Sequence, residues 1–431
     1  MKHKSMMKIG LIALVALLLA AIPLLGACAR KAEVAPPEAE KWVKIGASLD
    51  LSGPLTGTHT PEMESVLSYA KMLNEKGGIA YKDPTTGKTM HVKLDMMWAD
   101  DGYKVDKIIS NYTRFKDAGA IVFVHGCTGA DVALGDIAKK DGVPILHGGQ
   151  MPMTLYPKYP GRWEISPTPT YVDAFGAYVN WIMANWKESR APRLGFLTLD
   201  NPFGKSPITD AAIAYMGKVG MEYVGAEFYL PTDADVIPQI TRLDGKGADF
   251  VFHNMVWEGF CTVMKSATDL GVKDHMNFCS NIFLFGRGVI EVAGEAAEGA
   301  YGVTWYSDLD TDFPGVKLLK EQVLKNYPST HLVANHFDGW AYGVSLYCGI
   351  KTALEKVGYP ITGKDFIDAM FTANGKGIWA ETAGGCFPPI DFTSDPKDAT
   401  GMHKVKIAQI QGGKIVELTD WIDCLHLSYA E

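Results

Sequence analysis

Lysine and arginine never gather into a run in this chain: 41 of them are dispersed against 49 acidic residues, for a formal charge of −8. Binding to phosphate backbones needs clustered basic residues, so nucleic acid is excluded as a partner. HExxH, paired CxxC and EF-hand patterns are missing too, and neither a dedicated metal site nor a cofactor is expected. Gly204-Lys205-Ser206 lacks the earlier glycine of a P-loop, because Leu199 stands there. There is no G-x-S-x-G elbow, which disfavours a hydrolase of that type. Repeats and low-complexity tracts are absent. Beyond Leu25 no stretch is apolar for long enough to cross a bilayer.

What remains is ordinary globular composition, 47% hydrophobic and 21% charged, enough for two domains with cores. The N-terminus is the exception. Lys2, Lys4 and Lys8 precede an apolar run from Ile9 to Leu25, and Leu25-Gly26-Ala27-Cys28 follows. A basic segment, an apolar segment and small residues before a cut describe an export signal over residues 1–27. Cysteine directly after Leu-Gly-Ala resembles a bacterial lipobox, which implies cleavage before Cys28 and its lipidation. Loss of the three lysines would take the charge from −8 to −11. Residues 28–41, rich in Pro, Ala and charge, suit a tether. The expected location is the periplasm or the outer face of the cell membrane, anchored only through the lipid.

From Trp42 strands and helices alternate, which argues for parallel sheets covered by helices. Strands are expected at Val43 to Leu49, His91 to Trp98, Ile121 to His125 and Val143 to His147. A second series has strands at Arg193 to Leu199, Glu222 to Tyr229, Asp249 to His253 and Asn277 to Ser280. The helix after the first strand is expected from Pro61 to Glu75, and a single one from Gly204 to Val219. Val405 to Gln411, Gly412-Gly413 and Ile415 to Leu418 suggest an antiparallel tail. The chain thus holds two similar α/β units.

The segment from Ile121 to Met151 carries two glycine-rich strand exits, Gly126-Cys127-Thr128-Gly129 and Gly148-Gly149-Gln150. Ligands in such sheets sit beyond the carboxyl ends of the strands, where helix N-termini offer free N–H groups. Thr128 stands at the mouth of one exit; ordinary strand-to-helix turns would also need these glycines. Phe203, Trp257, Phe283 and Phe285 follow strands of the second unit, with Tyr171 at the crossing, and together suggest a lined pocket. Cys127 reads either as a nucleophile with His125 or His147 or, preferably, as a small buried filler. Cys127, Cys261, Cys279, Cys348, Cys386 and Cys424 form an even set in an exported chain and could be paired, Cys261 with Cys279 for instance.

In order along the chain, Val43-Lys44-Ile45-Gly46, Leu51-Ser52-Gly53-Pro54-Leu55, His125-Gly126-Cys127-Thr128 and Asp141-Gly142-Val143-Pro144-Ile145 resemble leucine/isoleucine/valine-type periplasmic binding proteins of ABC transporters. Asp200-Asn201-Pro202-Phe203-Gly204, Ala248-Asp249-Phe250-Val251-Phe252 and Ala293-Gly294-Glu295-Ala296-Ala297-Glu298-Gly299 continue the likeness. It implies a type I periplasmic binding fold: α/β, two Rossmann-like lobes with parallel sheets, joined by three hinge crossings. Lobe one would comprise 42–164 plus 301–389, and lobe two 165–300 plus 390–431.

The resemblance also implies a ligand carboxylate held by a hydroxyl and backbone N–H groups of lobe one, with aromatics closing over it from lobe two. Carried over by position, Thr128 is the hydroxyl, Gly149 and Met151 fall on the second turn, and Phe203 and Val256-Trp257 are the aromatic side. Two positions depart from the pattern. Ile282, in Ser280-Asn281-Ile282-Phe283, stands where amino-acid binders have an acid, and the second turn has Gly149-Gln150-Met151 where a small residue and a threonine are common. A buried ammonium without a counter-charge is costly, so an amine-free carboxylate is preferred over an amino acid. The expected protein is a monomeric solute-binding lipoprotein serving an ABC permease in the inner membrane, and makes or breaks no bond. Its alternatives are an enzyme using Cys127 and a sensory or structural lipoprotein that binds a protein.

Overall fold

The computed structural model describes residues 40–148, 151–282, 285–372 and 378–429. The export signal, Cys28, most of the tether, and Gly149, Gln150 and Phe283 lie outside the described residues. Two sheets organise the rest. The first has the order β2-β3-β1-β4-β5-β6, built from Trp42–Leu49 (β1), Ile79–Lys82 (β2), Thr89–Asp100 (β3), Val122–His125 (β4), Ile145–His147 (β5) and Glu164–Ile165 (β6). All its pairings are parallel except that of β2 with β3. β1, β4 and β5 are buried along nearly their whole length, as expected for strands covered on both faces.

The second sheet contains Arg193–Leu199 (β7), Glu222–Tyr229 (β8), Phe250–His253 (β9), Asn277–Ser280 (β10), Tyr301–Thr304 (β11), Lys404–Gln411 (β12) and Lys414–Glu417 (β13). Its order is β13-β12-β11-β10-β9-β7-β8, with Ile422–Asp423 (β14) paired to β12. β7 to β11 run parallel, and β12 returns antiparallel against β11 and β13, as the tail pattern foretold. The hairpin between β12 and β13 turns through Gly412 and Gly413, at φ 58° and 68°. β11 belongs to this second sheet, whereas the sequence reading gave residues 301–389 to lobe one. The crossing falls after Thr304, because Tyr301 to Thr304 pair with β12, and Tyr301 and Gly302 with β10 as well.

Three segments pass between the sheets: one after β6, one after β11, and one leading back to β12. The first and third lie side by side, Ser166 bridging Thr400 and the Gly401 N–H donating to the Ser166 carbonyl at 2.9 Å. After the second crossing the helices Pro314–Asn326 and His336–Val357 pack on the helix Thr56–Glu75, on one side of the first sheet.

Three local expectations change. The helix expected from Gly204 is two helices, Pro202–Lys205 and Asp210–Val219, parted at Pro207. Proline has no N–H to continue the first helix, and the Thr209 side chain caps the second. The helix expected from Pro61 begins five residues earlier, at Thr56. Asp50 is the cause, since its carboxylate accepts the N–H groups of Ser52, Gly53 and Leu55 and folds the loop into the helix entry. Finally, Cys127, Cys261, Cys279, Cys348, Cys386 and Cys424 are all free and buried, so the anticipated pairing is absent and each acts as a small apolar filler in its own part of the core.

Candidate functional site

The carboxyl ends of β1, β4 and β5 face the second lobe, and a cavity of about 30 Å³ lies between them. Thr58, His59 and Glu62 enter it from the first turns of the helix Thr56–Glu75, and Tyr342 from the helix His336–Val357. Gly126 and Thr128 come from the exit of β4, Gly148 from that of β5, and Tyr103 from the turn after β3. Tyr171, Phe203 and Val256 close it from the second lobe. The volume accommodates little more than a water, so the cleft is shut in this arrangement. Tyr171 holds it: its hydroxyl donates to the Gly148 carbonyl at 3.2 Å across the two lobes.

Of the expected site residues, Thr128, Tyr171 and Phe203 line this cavity, the last two with ring centroids 5.3 Å apart. The other expected residues that are described do not line the cavity. Met151 lines a separate apolar groove of about 670 Å³, with Val132, Pro202 and Ile208. Trp257 begins the helix Trp257–Leu270 beside the cavity and packs over Gly57 and Gly288. Ile282 is fully buried, its N–H donating to the Asn281 side chain at 2.9 Å. Phe285 is buried against Gly302. With Ile282 away from the cavity, its lack of charge says nothing of the ligand. The inference of a site without an acid fails, because Glu62 supplies one.

Cys127 is no nucleophile. Its N–H donates to His125 Nδ1 at 3.2 Å, and His125 Nε2 is 3.0 Å from Asp131. Both ring nitrogens are thus engaged away from the sulfur, and burial pushes the thiol up to about 12. Asp131, in the first turn of the helix Thr128–Asp141, also lies 3.2 Å from His147 Nδ1. Burial alone would raise Asp131, but its contacts with His147 and His125 outweigh it and hold the carboxyl low. His125 immediately precedes Gly126, and His147 precedes Gly148. One buried carboxylate thereby fixes both strand exits that form the cavity floor.

Residues the sequence reading did not single out complete the site. Tyr103 is the one non-glycine residue at positive φ (58°) among those described, held by its N–H to Asp101 at 2.8 Å. Such strain concentrates where a side chain must be aimed. His59 accepts the Asp50 N–H on Nδ1 at 3.1 Å, and burial, with the His125 charge, lowers it to about 3, so it is neutral. Glu62 and Asp338, facing each other from adjacent helices, are both pushed well above the usual carboxylate range, chiefly by burial. Among the described residues no group of three or more His, Cys, Asp or Glu could hold a metal ion.

Several carboxyls here keep their protons near neutrality. Burial raises Glu164 to about 8 and Glu258 to about 7, alongside the Glu62–Asp338 pair. A raised acid stabilises the fold fully below its unfolded pKa and loses that contribution as pH rises to the folded value. Stability should therefore fall between about pH 4.5 and 8, by up to ~1.4 kcal/mol per pH unit for each such group. Melting curves at the two ends check this; an equal or higher melt at the alkaline end would contradict it.

The sequence profile of a family described as periplasmic binding protein matches residues 42–414. Among solved structures, a branched-chain amino acid ABC transporter protein from Thermus thermophilus with bound valine aligns at TM-score 0.77 and 22% identity, over 90% of this chain and 98% of that one. A fatty acid ABC transporter substrate-binding protein from Thermomonospora curvata gives 0.75 and 18%, over 90% and 94%. A possible leucine/isoleucine/valine-binding protein from Rhodopirellula baltica gives 0.70 and 18%, over 89% and 98%. At these identities the likeness is one of fold.

Proposed function

The chain belongs to the periplasmic binding protein family, and from that premise we propose that it captures a small, carboxylate-bearing organic solute outside the cytoplasm and delivers it to an ABC permease. The observation that carries the reading is the cavity enclosed by residues of both lobes. Thr128 Oγ and the first N–H groups of the helix Thr128–Asp141 would hold the carboxylate, since the leading N–H groups of a helix have no partner within it. Ligand bound to lobe one would stabilise the closed form through contacts the open form lacks, Tyr171 and Phe203 among them. Valine and fatty acid, the solutes attached to two similar structures, both carry a carboxylate. The protein would act as a monomer, anchored through lipidated Cys28; Cys28→Ala should release it from the membrane fraction.

A thermal-shift screen of protein refolded from denaturant, to strip any carried solute, tests the reading. A ligand at a hundredfold excess over its Kd stabilises by roughly 2.7 kcal/mol, a shift that amino acids, fatty acids and other carboxylates should produce if they bind. No shift from any of them would overturn it.

Closure itself has a separate handle at Gly57, where an added Cβ would meet the Glu258 carboxylate and stand 3.2 Å from the Trp257 ring. Gly57→Leu should hold the lobes apart and weaken capture by about tenfold or more, roughly 1.4 kcal/mol. Titration of the variant checks this, and unchanged affinity would contradict it.

A further inference from the structure

We propose that His403 is a positioning residue for lobe closure: its imidazolium, bonded on both sides, fastens the third crossing in the closed arrangement, and loss of its proton loosens it. The inference rests on the closure reading above and names what regulates it.

The segment that leads back to β12 folds around one carboxylate. Asp398 is only 3% exposed. One of its oxygens accepts the Thr400 N–H at 2.8 Å, the Thr400 hydroxyl at 2.7 Å and the Tyr156 hydroxyl at 3.2 Å. The other oxygen faces two imidazoles, His403 Nδ1 at 3.0 Å and His426 Nδ1 at 3.3 Å. On the far side of its ring, His403 Nε2 is 2.8 Å from the Asp391 carbonyl oxygen. A carbonyl only accepts, and Asp398, surrounded by donors, accepts as well. A neutral imidazole carries one N–H, so only the doubly protonated ring satisfies both neighbours. Geometry alone makes His403 a cation.

Electrostatics agree. Burial would lower His403, but its bond to Asp398 and that carboxylate's charge outweigh it and hold the ring above its ordinary value. His426 is raised by the same carboxylate, although nearly half exposed. Burial would raise Asp398, yet the two histidines hold it far below the carboxylate range. Asp173, Asp391 and Asp395 also face the cluster, and Tyr156 and Tyr429 are phenols kept protonated chiefly by burial. Two lysines stand against these acids. Lys158 donates to the Phe392 and Asp395 carbonyls at 2.5 and 2.8 Å, and Lys404 pairs with Asp423 at 2.5 Å. Without its second proton His403 must give up either Asp398 or Asp391, and four acids lose their central counter-charge.

The cluster reaches the cleft. Tyr156 comes from lobe one, and Thr400 bridges Ser166 of the first crossing. Two residues beyond His426, the Ser428 N–H and hydroxyl donate to Asp173 at 2.9 and 2.7 Å, and that hydroxyl lies 2.5 Å from Thr170 Oγ1. Thr170 caps the helix Tyr171–Asn185, whose first residue donates across the lobes to the Gly148 carbonyl. One charge thus ties lobe one, two crossings and the seat of Tyr171. The bonded arrangement is the closed one, so closure takes up a proton and weakens as pH rises through the His403 value. Solute capture should weaken with it.

Distances across the cleft in solute-free protein test the proposal. Val132 on lobe one and Asp210 on lobe two are exposed, and spin labels at Val132→Cys and Asp210→Cys would give the ratio of short to long separations. That ratio should fall about tenfold between pH 6 and 9 if the ring holds its proton ten times more tightly in the closed arrangement. His403→Gln should keep it at the low value throughout. Nitrogen NMR of the wild-type protein stands even if the variant fails to fold. At pH 6 both ring nitrogens of His403, assigned through its contact with Thr400, should carry protons. A ratio flat in pH, a profile unchanged by His403→Gln, or a ring with one bare nitrogen at pH 6 would overturn the inference. No solute enters these experiments, so their failure leaves capture, which the melt screen decides, intact.

Discussion

Asp131→Ala should destabilise the protein by about 3–5 kcal/mol, the cost of removing one partner from a buried charged network. Asp131, His125 and His147 are all fully buried, and the two imidazoles stack with centroids 6.1 Å apart, interplanar angle 18°. β4 and β5 pair so that His125 lies opposite His147, and the carboxylate joins their rings from the helix above. Without it, two ring nitrogens lose their acceptor and a cavity opens between strand and helix. Solute affinity should fall too, because Gly126 and Gly148 follow the freed histidines directly. The low-held carboxyl sets the pH dependence: its contribution is complete above the unfolded value, about 3.9, and is lost as pH falls through the folded one. Denaturant unfolding of wild type and variant measures the difference; a loss below about 1 kcal/mol would place the network outside the ordinary range for buried charges.

Gly339→Ala should cost about 1–3 kcal/mol or more, through overpacking at a helix crossing. A Cβ there would fall on the Glu62 carbonyl oxygen and 2.7 Å from its carbon, and one turn on, a Cβ added to Gly343 would stand 2.5 Å from the Tyr69 ring. These two glycines form the groove in which the helix Thr56–Glu75 lies against His336–Val357. Backbone cannot rotate away as a side-chain end can, so the helices must separate. That separation would also part Glu62 from Asp338 and weaken solute binding. Gly217→Ala is the internal control: nothing lies within 4 Å of its added carbon, inside the helix Asp210–Val219. It should stabilise by about 0.5–1 kcal/mol. Paired melting temperatures decide; equal effects of the two substitutions would contradict the packing argument.

Much of the frame was legible because it rests on short-range pattern. β7, β8 and β10 coincide with the expected strands, since short aromatic and β-branched segments bounded by turn residues leave few alternatives. β2 was missed: Ile79–Lys82 is a four-residue strand in turn-rich sequence, defined by its antiparallel partner β3 and by little of its own. The site divides in the same way. Thr128, Tyr171 and Phe203 follow strands or crossings, where ligands gather in this architecture. Glu62 was hidden by a helix reading that began at Pro61 and followed only its apolar stripe. The true helix buries Thr58, His59, Glu62, Ser65 and Ser68 as well. Five polar residues turned inward on one helix were a usable signal, since a helix that only packs would bury apolar ones. Tyr342 and Tyr103 gave none, because tertiary packing and one left-handed turn bring them in. Ile282 misled because alignment position was taken for location.

Closure of the two lobes on a solute is the central claim, and a distance measured across the cleft tests it most directly. Met153 on lobe one and Asp210 on lobe two are exposed, and the six described native cysteines are buried. Spin labels at Met153→Cys and Asp210→Cys would therefore report on the cleft mouth. In stripped protein a broad distribution reaching long distances is expected. Saturation with a solute that shifts the melt should collapse it to a single shorter distance. A distribution unchanged at saturation would contradict the account.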